Sequence, residues 1–313
     1  MAITLLLRVA GSFLNDTSTV ESMDATSQGP VSSETVRLKV RYDRRYPVKW
    51  NTPAAAEGFL GHAEKLLELS TSDAVLALMH VWNVGFPGGP EYGPDSPWVG
   101  WVKMQEATLR AGEIIRNRLP PLIEACRQRG IPVVHIASSE TYATRYLQYD
   151  ALKREAGPGL PTQNGSPCTD WVKDVTLETF GAGICEHMTV KRTLLDIAPP
   201  VRPRTEDFVV TTTHQLNYLL RKLGAWNILY AGFLTNCCLM FSPGGMADMA
   251  RLGYRILLLR DCTTGWENKE SVGTLRATEE AIRTVEQNCW GYTVASADLI
   301  AALRPSPLPA GAG

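Results

Sequence analysis

The chain carries almost no net charge: 31 Lys and Arg stand against 32 Asp and Glu, a formal balance of -1. Nucleic acids and anionic membranes select a basic excess, so neither is expected as a partner. Histidine is scarce, with five residues. His80, His135 and His214 share no ligand spacing, so no metal site is expected. The cysteines, at 126, 168, 185, 237, 238, 262 and 289, are 7 in number and include no Cys-x-x-Cys pair. An odd, unpatterned set argues against a disulfide-stapled secreted domain and makes a reducing cytoplasm the expected compartment. Neither a Gly-x-Gly-x-x-Gly run nor a P-loop occurs, so no nucleotide is expected, and no other cofactor is indicated. Long apolar runs are also missing. Ile3 to Phe13 is interrupted by Arg8, has no basic leader and is too short to span a bilayer.

What is present is an ordinary globular composition, 44% hydrophobic and 20% charged over 313 residues, enough for one large α/β domain or two small ones. The Ser-, Thr- and Asp-rich stretch 15–36 marks residues 1–36 as a flexible leader, and 305–313 has the look of a flexible tail. Between them strand-like and helix-like segments alternate, the pattern of a parallel sheet flanked by helices. Strands are expected at Ala74–His80, Ile131–Ala137, Asp207–Thr212, Ile228–Ala231, Tyr254–Arg260 and Gly291–Ala295. A helix is expected over Lys103–Gln128, kinked or divided by Pro120 and Pro121. Further helices are expected at Leu216–Leu223, Met246–Leu252 and Thr274–Asn288. Residues 37–69 resemble an arm packed on the core or on a second subunit, and 141–200 a long loop or small subdomain over the site.

The most informative stretch is Asn227-Ile-Leu-Tyr-Ala-Gly232-Phe-Leu-Thr235-Asn-Cys237-Cys238. Ile228 to Ala231, bounded by Gly232, suit a strand covered on both faces, and Thr235 and Asn236 suit an N-cap. A thiol in the first turn of a helix meets the positive end of the dipole and free N–H groups, which favour a thiolate and offer donors to an oxyanion. A cysteine behind an apolar strand is also commonly a small buried hydrophobe.

Gly232, Thr235 and Cys238 match a Gly-x-x-Thr-x-x-Cys signature, and on these residues the chain resembles the isochorismatase-like cysteine hydrolase family, with its nicotinamidases and N-carbamoyl-amide hydrolases. The resemblance runs from about residue 70 to 304. It implies a three-layer α/β/α domain with a mostly parallel, doubly wound sheet of Rossmann-type topology over 70–304, commonly in a homo-oligomer. It also implies Cys238 as nucleophile, Cys237 as its non-catalytic neighbour, a Phe233–Leu234 peptide that is often cis, and the amides of Leu234 and Cys238 as oxyanion donors.

Two positions depart from the family. An Asp that takes the thiol proton ends the family's first strand; aligning on Asn83 and Phe86 puts His80 there. A neutral imidazole accepts a thiol proton near pH 7, and a structural histidine at a strand end is the alternative. The family's Lys after the third strand falls on Thr212 or a neighbour, with Lys191 or His214 as candidate helpers. Trp82, Asn83, Phe86 and His214, together with Tyr92, Trp98 and Trp101, fall where the family lines its small-molecule cavity; an oligomer interface or plain core is the other reading of the aromatics. The expected function is hydrolysis of a small amide, carbamoyl or related carbonyl compound through a thioacyl intermediate on Cys238. The alternatives are a degenerate member serving in binding or structure, and thiol-free enol-ether hydrolysis.

Overall fold

Six short apolar segments build the parallel part of an eight-stranded sheet in the computed structural model, which describes residues 34–44, 60–91, 105–159, 170–180 and 194–304. They are β3 (Ala74–Met79), β4 (Val133–Ile136), β5 (Phe208–Val210), β6 (Asn227–Phe233), β7 (Arg255–Thr264) and β8 (Gly291–Val294). Every residue of β3 and β6 is buried, as strands covered on both faces require. Residues 1–33, Tyr92, Trp98, Trp101, Lys191 and 305–313 lie outside the described residues.

The segment expected as an arm supplies two more strands. β1 (Thr35–Arg44) pairs antiparallel with β2 (Gly61–Ser70) along its whole length and meets β8 at Arg41 and Thr293. Val36, Leu38 and Val40 alternate inward, a period of two that buries one face of the hairpin. β1 begins at Thr35, inside the segment expected as leader.

Helices cover both faces of the sheet, giving a three-layer α/β/α domain. One face receives α1 (Gln105–Asn117), α2 (Leu119–Gln128) and α10 (Ser296–Leu303), through Ile115, Leu119, Leu122, Ile123, Leu299 and Leu303. The other receives α6 (Thr213–Leu223), α8 (Met246–Arg251) and α9 (Arg276–Gln287), through Leu216, Leu219, Leu220, Met249, Ile282 and Val285. Each fully buried leucine contributes about 2 kcal/mol of apolar transfer. The prolines divide the long helix: α1 and α2 part at Arg118, and Pro120 falls in the first turn of α2, where its missing N–H costs nothing. Within 141–200 the structure places α3 (Glu140–Ala143), α4 (Leu147–Ala156) and α5 (Asp170–Phe180).

The strand order β2-β1-β8-β7-β6-β3-β4-β5 fixes where a ligand belongs. From β3 the chain winds outward through β4 to β5, then returns to β6 on the other side of β3 and winds outward through β7 to β8. The direction reverses between β3 and β6. In an open α/β sheet the crevice beyond the carboxyl ends of the strands at such a switch point is where ligands bind.

Candidate active site

His80 follows β3 directly and Cys238 lies five residues beyond the end of β6, so both stand at the switch point. The backbone there leaves no room for a side chain. Gly232 pairs with Met79, and a Cβ on Gly232 would lie 2.0 Å from the Met79 carbonyl oxygen. The turn after Gly232 is tied to β7 by Thr235, whose N–H donates to Thr264 O at 3.0 Å and whose Oγ1 meets Thr263 Oγ1 at 2.7 Å. The Phe233–Leu234 peptide is cis. Cys238 then opens α7 (Cys238–Phe241).

The Cys238 thiol is held well below the ordinary range for cysteine. A hydrogen bond from Cys237 is the main cause; partial burial opposes it, and a hydrogen bond and charge from His80, with a hydrogen bond from the Ser242 hydroxyl, add to it. The Cys237 thiol is pushed in the opposite direction by the same contact. Negative charge therefore settles on Cys238, where three donors converge.

His80 is buried, at 6% exposure, and takes a positive φ of 49°, in the left-handed region where histidine is one of the few tolerated side chains. Among the described residues its buried Nδ1 has no hydrogen-bond partner, and no carboxylate among them orients the ring. Stacking does so instead: the Trp82 ring lies 5.3 Å away at 12°. Trp82 Nε1 donates to Tyr142 OH at 3.3 Å, and that hydroxyl accepts from Ser138 N at 2.7 Å. Trp82, expected to line the cavity, thus backs the imidazole. Removing this support with Trp82→Leu is expected to slow Cys238 alkylation by about 10-fold at neutral pH, because misoriented groups lose effective molarity. Stopped-flow alkylation measures it, and an unchanged rate would show that the ring is held by other contacts.

Asn83 joins this segment to the insertion. Its Nδ2 donates to Leu194 O at 3.2 Å, its Oδ1 accepts from Asp196 N at 2.9 Å, and Trp82 bridges to Ile197. Phe86 is buried beneath the Arg116 guanidinium of α1, 4.5 Å from its ring.

Thr212 and His214 are occupied elsewhere. Thr212 caps α6, its Oγ1 accepting from Gln215 N at 3.1 Å. His214 Nε2 pairs with Ala156 O at 2.9 Å, and its ring lies against Gly159. The sheet explains the separation: β5 lies three places from β6, roughly 14 Å at normal strand spacing. A threonine side chain does not cross such a gap.

The loop after β7 is tied to the turn that carries Cys238. Asn236 grips it twice, Nδ2 donating to Trp266 O at 3.0 Å and Oδ1 accepting from Trp266 N at 2.8 Å. Arg110 of α1 reaches Thr264 Oγ1 at 2.9 Å. Buried Glu267 accepts the Ala277 and Thr278 amides at 3.0 and 2.8 Å, capping α9 from outside its own sequence. Burial alone would raise this carboxyl; hydrogen bonds from Ser271, Thr278 and the two amides overcome that and hold it below its usual value. A carboxyl depressed in the fold gives stability that is complete above its unfolded value, about 4.3, and is lost as pH falls through the folded value. Glu267→Gln is therefore expected to cost about 2 kcal/mol at pH 7, with the gap to wild type closing toward pH 3. Urea unfolding at both pH values tests this; a gap constant with pH would remove the charge from the account.

Thr235 and Asn236, expected as an N-cap, instead tie the turn to β7 and the loop after it, and Cys237 takes the N-cap position without a side-chain cap. Ser242, Arg110 and Glu267 were not singled out in the sequence; of these, Ser242 had a local signal there, lying one helical repeat, four residues, after Cys238. Among the described residues no three His, Cys, Asp or Glu side chains group as a ligand set, and no helix is long and apolar enough to cross a membrane.

The family model described as "Isochorismatase domain" matches residues 99–287, which is more than half of the chain and includes Cys238 but begins after His80. No curated protein matches the chain. Among solved structures, a cysteine hydrolase from Pseudomonas syringae pv. phaseolicola 1448A is 12% identical, with 75% of this chain and 94% of that one covered and a TM-score of 0.43. An isochorismatase family protein from Burkholderia thailandensis is 18% identical over 74% and 96%, at 0.41. A nicotinamidase from Staphylococcus aureus is 11% identical over 71% and 99%, at 0.36.

Proposed function

Because this chain belongs to the isochorismatase family, a family of hydrolases, we propose that it is a cysteine hydrolase of small amide, carbamoyl or related carbonyl compounds. Cys238 is its nucleophile and His80 its base. One juxtaposition carries the reading: an imidazole bearing on a depressed thiol at the switch point of the sheet.

His80 accepts the thiol proton and the Cys238 sulfur attacks the carbonyl carbon. Charge developing on the oxygen is met by the Leu234 amide, which donates to no backbone carbonyl among the described residues. The Cys238 amide bears on the Cys237 sulfur in the free protein; sulfur is a weak acceptor, which an oxyanion displaces. Collapse breaks the C–N bond, and the departing amine takes the proton from the His80 imidazolium. Water then attacks the thioester, giving a proton back to His80, and the acid leaves as the thiolate re-forms. No cofactor enters these steps. A homo-oligomeric state in the cytoplasm belongs to the same reading, and sedimentation velocity tests the former.

The experiment is site-resolved alkylation together with hydrolysis of a panel of small primary amides and N-carbamoyl compounds. The reading requires Cys238 to react far faster than the other cysteines near neutral pH, and at least one panel member to be cleaved. The competing reading is a binding or structural protein, favoured by two observations: Thr212 is spent on a helix cap, and His80 Nδ1 has no partner among the described residues. Seven equally sluggish thiols with no turnover would establish it.

A further inference from the structure

Cys237 takes no part in the chemistry above, yet its sulfur lies 3.8 Å from that of Cys238. Neighbouring side chains on a helix diverge by about 100° and do not face each other. These two meet because Cys237 precedes the helix with φ -137° and ψ -106°, a backbone turned out of the helical conformation. The turn is pinned on both sides: Cys237 N donates to Leu234 O at 3.1 Å, and Cys237 O accepts from Met240 N and Phe241 N at 3.2 and 2.9 Å. Its sulfur also receives the Cys238 amide. At that separation the S–H of one thiol reaches the sulfur of the other.

We propose that Cys237 is a positioning residue for the nucleophile, its S–H donating to the Cys238 sulfur and holding it as a thiolate in front of His80. His80 and Ser242 bear on Cys238, which favours the charge there and the shared proton on Cys237. Hydrogen bonds to the charged form are what favour that form. A thiol donor next to the nucleophile stabilises the thiolate once its proton has passed to His80, which suits a site whose base has no partner on its other nitrogen among the described residues.

The inference rests on Cys238 as nucleophile, and its test reads Cys238 directly, without substrate. The rate of iodoacetamide alkylation is followed against pH in wild type, Cys237→Ala and Cys237→Ser, with fragment ions separating position 237 from 238. Near-UV circular dichroism checks that each variant is folded. Cys237→Ala is expected to raise the alkylation midpoint by at least about one pH unit, the size of a lost hydrogen bond to charge. Cys237→Ser, whose hydroxyl still donates, is expected to return most of that shift, which a merely space-filling role would not do. An unmoved midpoint in Cys237→Ala, or a Cys237→Ser midpoint equal to that of alanine, overturns the proposal. An upward shift without cleavage of any panel compound leaves Cys237 in this role and sinks only the hydrolase reading. A wild-type Cys238 that titrates as an ordinary thiol sinks both.

Discussion

Cys238→Ala is expected to eliminate the fast alkylation phase and to lower hydrolysis of a responsive amide by about 10,000-fold, the scale on which loss of a nucleophile reduces turnover to what binding and oxyanion donors sustain. Cys126, Cys237 and Cys262 give no substitute. Cys126 and Cys262 are buried and pushed up to about 12, by burial first. Cys237 is held protonated by its neighbour. His80→Ala is expected to act less severely, by about 100-fold or more, as loss of a general base does. Cys237 and Ser242 still stabilise the thiolate in that variant, so its alkylation midpoint rises only in part while turnover falls. That split separates a base from a mere charge neighbour. Steady-state hydrolysis and alkylation on the same preparations measure both; a Cys238→Ala variant with wild-type turnover would move the chemistry away from the thiol altogether.

The second large effect is on the fold itself. Gly232→Ala is expected to cost at least about 4 kcal/mol, a large part of the 5–15 kcal/mol that holds a domain together. Two independent penalties meet at this position. The added Cβ would stand 2.0 Å from Met79 O and 2.7 Å from Met79 N, backbone atoms that cannot rotate away. Gly232 also has φ 124°, a conformation that side chains with a Cβ avoid. Met79 is the residue before His80, so strands forced apart here also separate imidazole from sulfur. The expectation is a urea midpoint far below wild type, or a chain that does not accumulate in soluble form, with slow Cys238 alkylation in whatever folds. A wild-type midpoint would show that β3 and β6 tolerate the extra separation.

The motif glycine was legible from the sequence because its neighbours are local: four apolar residues, a glycine and a polar pair mark a strand leaving for a helix. The parallel strands and the divided helix were legible for the same reason, since periodicity and proline act within a few residues. Val36, Leu38 and Val40 carried the period-two signal of a strand as well, and it is the sheet that shows the segment pairing with β8. His80 was singled out by its place at a strand end. Its support by Trp82 was not, because Trp82 carries as good a signal for a cavity wall as for a stack. Thr212 shows the limit most plainly. In sequence it occupies the position of a charged helper, and in space it caps α6 three strands from the thiol's own strand. The grip of Asn236 on Trp266 and the cap supplied by Glu267 to α9 had no readable spacing at all, since each closes a loop between segments tens of residues or several turns apart.

The sequence by itself determined the layered α/β class, the turn at Gly232 and the thiol at the start of α7, because propensity, hydrophobic period and a glycine requirement are properties of neighbouring residues. Only the tertiary structure decided what surrounds that thiol. The pairing of β3 with β6 brings His80 to the switch point beside Cys238, and the non-helical backbone of Cys237 sets its sulfur 3.8 Å from that of Cys238. Contacts of this kind depend on strand order and on where a chain leaves its helix, which are settled by packing the whole core.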